Sequence, residues 1–126
     1  MKTKIITTRK PLNRRNLFGY IADFLKKTNF RSQYIFVQIK LLTNQGKKTR
    51  PLCNKILLDL KDQALIRSFK KVVSHNFDDL TNNKRIINVE KVFIVYIETN
   101  EQMYDNYINK LSKGKDFELE YEDNSN

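Results

Sequence analysis

The 126-residue chain is poor in the residues that usually punctuate or brace a small protein: it has one Cys, two Pro, three Gly, one His and no Trp. The single Cys53 excludes an internal disulfide and any site built from several thiolates, and suits a reducing compartment or a small core position. With glycine only at Gly19, Gly46 and Gly114, no glycine-rich phosphate loop can be written. His75 is the only histidine, so spacing supports no Ser-His-Asp arrangement, and a Cys53–His75 pair would have to be made by the fold. Asp78 and Asp79 are adjacent, so their carboxylates diverge and read as a solvated pair rather than a metal site. No catalytic residue, metal or cofactor is expected. The apolar runs are only a few residues long, too short for a transmembrane helix, and no secretory apolar segment follows Met1.

What the chain has is positive charge and aromatic side chains. Its 24 Lys and Arg against 14 Asp and Glu give a net charge of +10, and the imbalance is uneven. Residues 116–126 hold five acids (Asp116, Glu118, Glu120, Glu122 and Asp123) and no base, so residues 1–115 carry +15. Such an excess repels itself and favours a polyanion. Nucleic acid is the first choice, through counterion release from phosphates, and an anionic membrane surface the second. The hydrophobic fraction of 40%, with eight Phe and six Tyr, is that of a folded chain rather than a disordered one. Asn, Lys and Ile supply 43 residues in all, a bias of AT-rich coding that fits an organelle genome, an extrachromosomal element or an AT-rich microbe.

These features predict one α+β domain with a three- or four-stranded, mainly antiparallel sheet and two or three helices packed mainly on one face. The domain should span residues 13–114, between a basic flexible arm at 1–12 and an acidic disordered tail at 115–126. Lys2, Lys4, Arg9, Lys10, Arg14 and Arg15 precede the first acid, Asp23. That suits an arm lying along phosphates, or alternatively an organelle-targeting segment. Asn13 or Asn16 can cap a helix running to about Lys27, with Leu17, Ile21, Phe24, Leu25 and Thr28 on its buried side. Tyr34–Leu42 alternates as a strand, with Ile35, Val37, Ile39 and Leu41 on one face and Tyr34, Phe36, Gln38 and Lys40 on the other. Thr43-Asn44-Gln45-Gly46 is a turn, and the strand from Lys47 should be an edge or be broken at Pro51.

Asp59 or Asp62 can cap a helix to about His75, with Leu65, Phe69, Val72, Val73 and Asn76 as its stripe; Asp78-Asp79 and Asn82-Asn83 would frame a loop. Arg85–Thr99 is the strongest strand signal, and its run Val92–Val95 reads as covered on both faces. Asn100 can cap a third helix with Tyr104, Ile108 and Leu111 on one side and Gly114 at its end. The candidate phosphate contacts are Lys10, Arg14, Arg15, the turn residues Lys47, Lys48 and Arg50, and Lys70 and Lys71 on the second helix. Tyr34 and Phe36, on the less apolar strand face, are candidates for base stacking.

Val95-Tyr96-Ile97-Glu98-Thr99 ends the strongest strand much as Asp-Ile-Glu does in the proofreading exonucleases of family B DNA polymerases, where two carboxylates hold metal ions. Tyr96 occupies the place of the first aspartate, and a phenol is no metal ligand at neutral pH. The wider order is a basic start, a helix (Leu17–Lys27), a strand with a basic turn (Tyr34–Leu42, then Gly46-Lys47-Lys48), a helix (Gln63–Val73) and a strand ending Phe93-Ile94-Val95-Tyr96. Over about residues 15 to 100 it resembles the region preceding the exonuclease in protein-primed family B DNA polymerases of linear mitochondrial plasmids. The resemblance implies a detached or truncated N-terminal module that binds DNA, in preference to RNA, or a replication partner, without catalysis of its own and in mitochondria rather than the cytoplasm. A ribosomal or other ribonucleoprotein component, and a protein-interaction or inhibitor module with an acidic tail, remain the alternatives.

Overall fold

The computed structural model describes residues 1–8, 11–43, 49–52, 55–82 and 86–113. Among these residues seven strands and three helices follow in the order β1 (Lys2–Thr7), β2 (Leu12–Asn13), α1 (Arg14–Lys27), β3 (Tyr34–Thr43), β4 (Thr49–Pro51), β5 (Ile56–Asp59), α2 (Gln63–Leu80), β6 (Ile86–Ile87), β7 (Val89–Thr99) and α3 (Glu101–Ser112). The class is α+β. Five strands form an antiparallel sheet in which β1 lies beside β7, β7 beside β3, and β4 and β5 share the far edge of β3. β2 and β6 make a separate two-stranded ribbon.

The alternation in β3 sets the layers. Ile35, Val37, Ile39 and Leu41 are all 1% exposed or less, and they pack with Val92 and Ile94 of β7 and Leu58 of β5 beneath α1 and α2. Phe36, one step out of phase, points to the other face, where it meets Leu57 and Tyr107 under α3. Helices therefore cover both faces, two on one and one on the other. Each starts where an acceptor side chain can hold a free amide: Asn13 Oδ1 accepts from the Asn16 N–H, Asp62 Oδ1 from Leu65, and Asn100 Oδ1 from Met103. α2 ends on Thr81, followed by Asn82 at φ 52°, a left-handed position that asparagine tolerates.

Five details differ from the sequence reading. Residues 2–7 are not an arm: they pair with β7 from Lys2↔Tyr96 to Thr7↔Lys91 and supply the extra strand. β5 resumes after the break at Pro51, so one interrupted stretch pairs with β3 twice. α2 runs past His75 to Leu80, so Asp78 and Asp79 are helical rather than in a loop. Its buried stripe is Ile66, Phe69, Val73 and Phe77, whereas Val72 is 42% exposed. Adding Phe77 at the far end turns the stripe by about one residue. In α3 the buried contact is Tyr107, while Ile108 and Leu111 are 41% and 49% exposed. Gly114, the acidic tail, and the turn residues 44–48 lie outside the described residues.

Replacing Phe77 by Ala should cost about 3–5 kcal/mol, the range for a buried phenylalanine, and Val72→Ala well under that in the same urea titration. Gly19 lies inside α1, and a Cβ there would meet nothing within 4 Å. Gly19→Ala should therefore raise stability by about 0.5–1 kcal/mol, read as a higher denaturation midpoint.

Candidate nucleic-acid interface

Strand register decides where the cations go. Thr43 pairs with Val89, Leu42 with both Lys91 and Thr49, and Thr7 with Lys91. The end of β1, the end of β3, the start of β4 and the start of β7 thus meet at one end of the sheet. Leu12 and Ile87, which pair in the short ribbon, bring the start of α1 and the approach to β7 to the same end. The chain segments that depart from or arrive at this end hold Arg9 and Lys10, Lys47 and Lys48, and Lys84 and Arg85. Those six residues lie outside the described set, but the described residues that bound each segment are all here. Arg15, Arg50 and Lys91 are exposed at this end and, among the described residues, have no carboxylate within ion-pair distance.

Arg14 differs. One of its terminal guanidinium nitrogens lies 3.0 Å from Asp78 Oδ2 and 3.2 Å from Ser74 Oγ, which ties the first turn of α1 to the last third of α2. Its charge is engaged inside the protein, and its role is first structural. One helical turn before Ser74 come Lys70, half-buried, and Lys71, exposed. They extend the cationic surface along α2 from the junction Arg14 makes. The acids nearest this end are Asp78, held by Arg14, Asp79, which sits 3.4 Å from His75 Nε2, and Glu90. His75 is itself on the exposed side of α2, and Cys53 lies outside the described residues.

The opposite end of the sheet is electrostatically different. Tyr34 pairs with Asp59 and Thr99 there, Glu101 and Asp105 lie near its ring, Asp62 near Tyr104, and Glu98 on the other face of the sheet. The ten-residue β3 puts about 30 Å between this end and the basic one. Tyr34 lies 4.9 Å from the ring of Tyr104, tilted by 33°. Burial raises the pKa of both phenols, and the neighbouring carboxylates, Glu101 first for Tyr34 and Asp59 first for Tyr104, raise it further. Phe36 is 1% exposed, with its ring 6.3 Å from that of Tyr107. Neither ring suits the stacking role read from the sequence: Phe36 is sealed beneath α3, and Tyr34 is occupied by a tyrosine among acids that repel phosphate. Facing alternation alone could not reveal that α3 covers this strand face.

The strand-end residues Tyr96 and Glu98 also have structural work. Tyr96 packs edge-on against Phe24 (4.9 Å) and Phe30 (5.7 Å), and burial, with Glu98 second, raises its pKa. Glu98 Oε1 accepts from the backbone N–H groups of Arg31 and Ser32, the latter at 2.9 Å, and Lys2 Nζ lies 3.9 Å from Oε2. The carboxylate thereby closes the loop between α1 and β3. Among the described residues no group of three His, Cys, Asp or Glu side chains is placed to hold a metal ion, and no helix is long and apolar enough to cross a membrane.

Of the candidate contacts, then, the register gathers Arg14, Arg15, Arg50, Lys70 and Lys71 at or beside one end, and Lys10, Lys47 and Lys48 fall in segments bounded there. Lys91 belongs with them and was missed from the sequence, because only non-local pairing brings the start of β7 beside the end of β3. No family model matches the chain, nor does any curated protein or solved structure.

Tyr34, Tyr96 and Tyr104 should ionise above the ordinary value of 10.0 in an ultraviolet titration. Their folded pKa values exceed the unfolded one, so the stability they lend is complete below pH 10 and is lost as the pH rises through the folded values. Tyr34→Phe should remove one of the late-titrating phenols and reduce that alkaline loss.

Proposed function

We propose that the chain is a non-catalytic nucleic-acid-binding module that grips phosphates with the basic end of its sheet and the adjoining turns of α1 and α2. The observation that supports this reading is that Arg15, Arg50 and Lys91 are exposed and, among the described residues, unpaired at one end of the sheet, with Lys70 and Lys71 beside them on α2. Cations that neutralise phosphates release the counterions condensed on the nucleic acid, and that release drives association. Contacts of this kind to phosphates position a protein without reading the bases. The resemblance to the region that precedes the exonuclease of plasmid-type polymerases makes DNA the first substrate to try and a replication assembly the first context, within mitochondria.

Binding to a DNA duplex or single strand, followed by fluorescence anisotropy, should weaken with a log–log salt slope of roughly −3 to −6, as neutralising several phosphates requires. Arg15→Glu, Arg50→Glu and Lys91→Glu should each weaken binding on all sequences and reduce the slope by about one. Arg31→Glu and Lys61→Glu, at the acidic end, should change it little. A flat salt response, or equal losses from the two ends, would defeat the proposal.

A further inference from the structure

The sheet face that carries α3 is covered by that helix at one end only. Phe36 and Leu57 lie beneath α3 with Tyr107. Lys40 is four residues beyond Phe36 on the same face, about 13 Å farther along β3 toward the basic end. The register sets Phe93 directly opposite Lys40, with Ile5 on the other flank of Phe93, and Thr7, Lys91 and Leu42 form the next row. Antiparallel partners point to the same side of a sheet, so these six side chains share the α3 face. Ile5, Thr7 and Lys91 are exposed; Phe93, Lys40 and Leu42 are half-buried.

Phe93 stands apart from the other rings. Among the described residues it joins neither apolar cluster and meets no other aromatic side chain. Cations flank it instead. The β-carbon of Lys40 is about 5 Å away across the strand pair, and Lys91 is two residues back along β7, about 7 Å. The six side chains include no acid, and among the described residues neither lysine has a carboxylate within ion-pair distance. An apolar protein surface laid here would bury Lys40 without a partner. A second copy of this face would bring Lys40 and Lys91 against their own kind. A single nucleic-acid strand supplies what both parts of the surface lack: a flat apolar ring for Phe93 and anions for the lysines. A duplex keeps its base faces inside the stack and must be opened to present one.

We propose that this open half-face is a single-strand platform, on which Phe93 stacks an unpaired base while Lys40 and Lys91 hold the phosphates beside it. The inference rests on the phosphate-binding reading above and adds the form of the nucleic acid. Lys91 belongs both to the basic end and to this face, so a strand gripped at that end continues onto the sheet. Every base has a π-face, so the contact accepts any sequence.

Two strands of equal length and charge test the platform by fluorescence anisotropy: an oligothymidylate and an abasic deoxyribose-phosphate strand. The native protein should bind the oligothymidylate roughly five- to 150-fold more tightly, as one stacked base requires. Phe93→Leu should lose that preference. Its affinity for the abasic strand and its salt slope should stay at native values, which also reports that the variant is folded. The chain has no Trp, so Phe93→Trp supplies a lone indole whose emission the oligothymidylate should quench and the abasic strand should not. Equal native affinities for the two strands, with a steep salt slope kept, would remove the platform and leave the phosphate grip standing. A preference that survives Phe93→Leu undiminished would also overturn the platform, and binding to neither strand would remove platform and grip together.

Discussion

The pairing of β3 with β7 is the interaction on which everything else rests. It runs from Tyr34↔Thr99 to Thr43↔Val89 with one irregularity between Leu42 and Thr43. Both strands are covered on two faces, so the seam holds the two apolar clusters together: Ile35, Val37, Ile39, Leu41, Val92 and Ile94 on one side, and Phe36 with Leu57 and Tyr107 on the other. Burying each such side chain is worth about 1.5–3 kcal/mol, far above any exposed ion pair here. A shift by one residue would exchange the two sets, placing Lys40 and Gln38 in the larger cluster, so the register is strongly specified. β1 then extends β7, β4 and β5 extend β3, and the helices take the faces left to them.

That register also distributes charge, although charge contributes little to forming it. In an antiparallel sheet the end of one strand lies beside the start of the next. The exit from β3, the return into β4, the exit from β1 and the entry to β7 share one end. Arg15, Arg50 and Lys91 can stand there without disturbing the core, since all three are exposed. Conversely, the acids at the far end have local tasks: Asp62 caps α2, Glu98 holds the loop before β3, and Asp59 accepts from Gln33 at 2.9 Å and from the Lys61 N–H. The acids are spent on backbone amides, and several of the bases are spent on nothing internal. Arg14 marks the boundary, because its contact with Ser74 and Asp78 ties the two helices beside the basic end.

What could be read from the residues follows the reach of each signal. Alternation over Tyr34–Thr43, the apolar run from Val92, and the Asn13 and Asn100 caps are local, and each lies where the sequence places it. β1 was hidden because its inward-facing set begins with two lysines, and an edge strand bordered by a shallow cleft does not need apolar residues at every second place. β5 was hidden because Ile56-Leu57-Leu58 is buried on both faces and shows no alternation. The error in α2 came from ending it early: without Phe77, Val72 looks as good a core residue as Ile66. Residue types alone marked the cationic candidates. Their convergence depends on pairs such as Thr43↔Val89, 46 positions apart, which no local pattern encodes.

The placement of the aromatic rings constrains how a polyanion could be held. Phe24, Phe30 and Tyr96 form one edge-to-face trio beneath α1, Tyr34 and Tyr104 stack on each other, and Phe36 meets Tyr107. These rings are committed to one another, and the last two pairs lie on the α3 face toward the acidic end. Stacking platforms for unpaired bases need a ring that is exposed and flanked by cations. The paired rings of Tyr34 with Tyr104 and of Phe36 with Tyr107 lie away from Arg15, Arg50 and Lys91. An interface of that kind contacts the charge and spacing of phosphates, so it should tolerate sequence while remaining sensitive to salt, and selectivity for a particular site would have to come from a partner or from the shape of the nucleic acid.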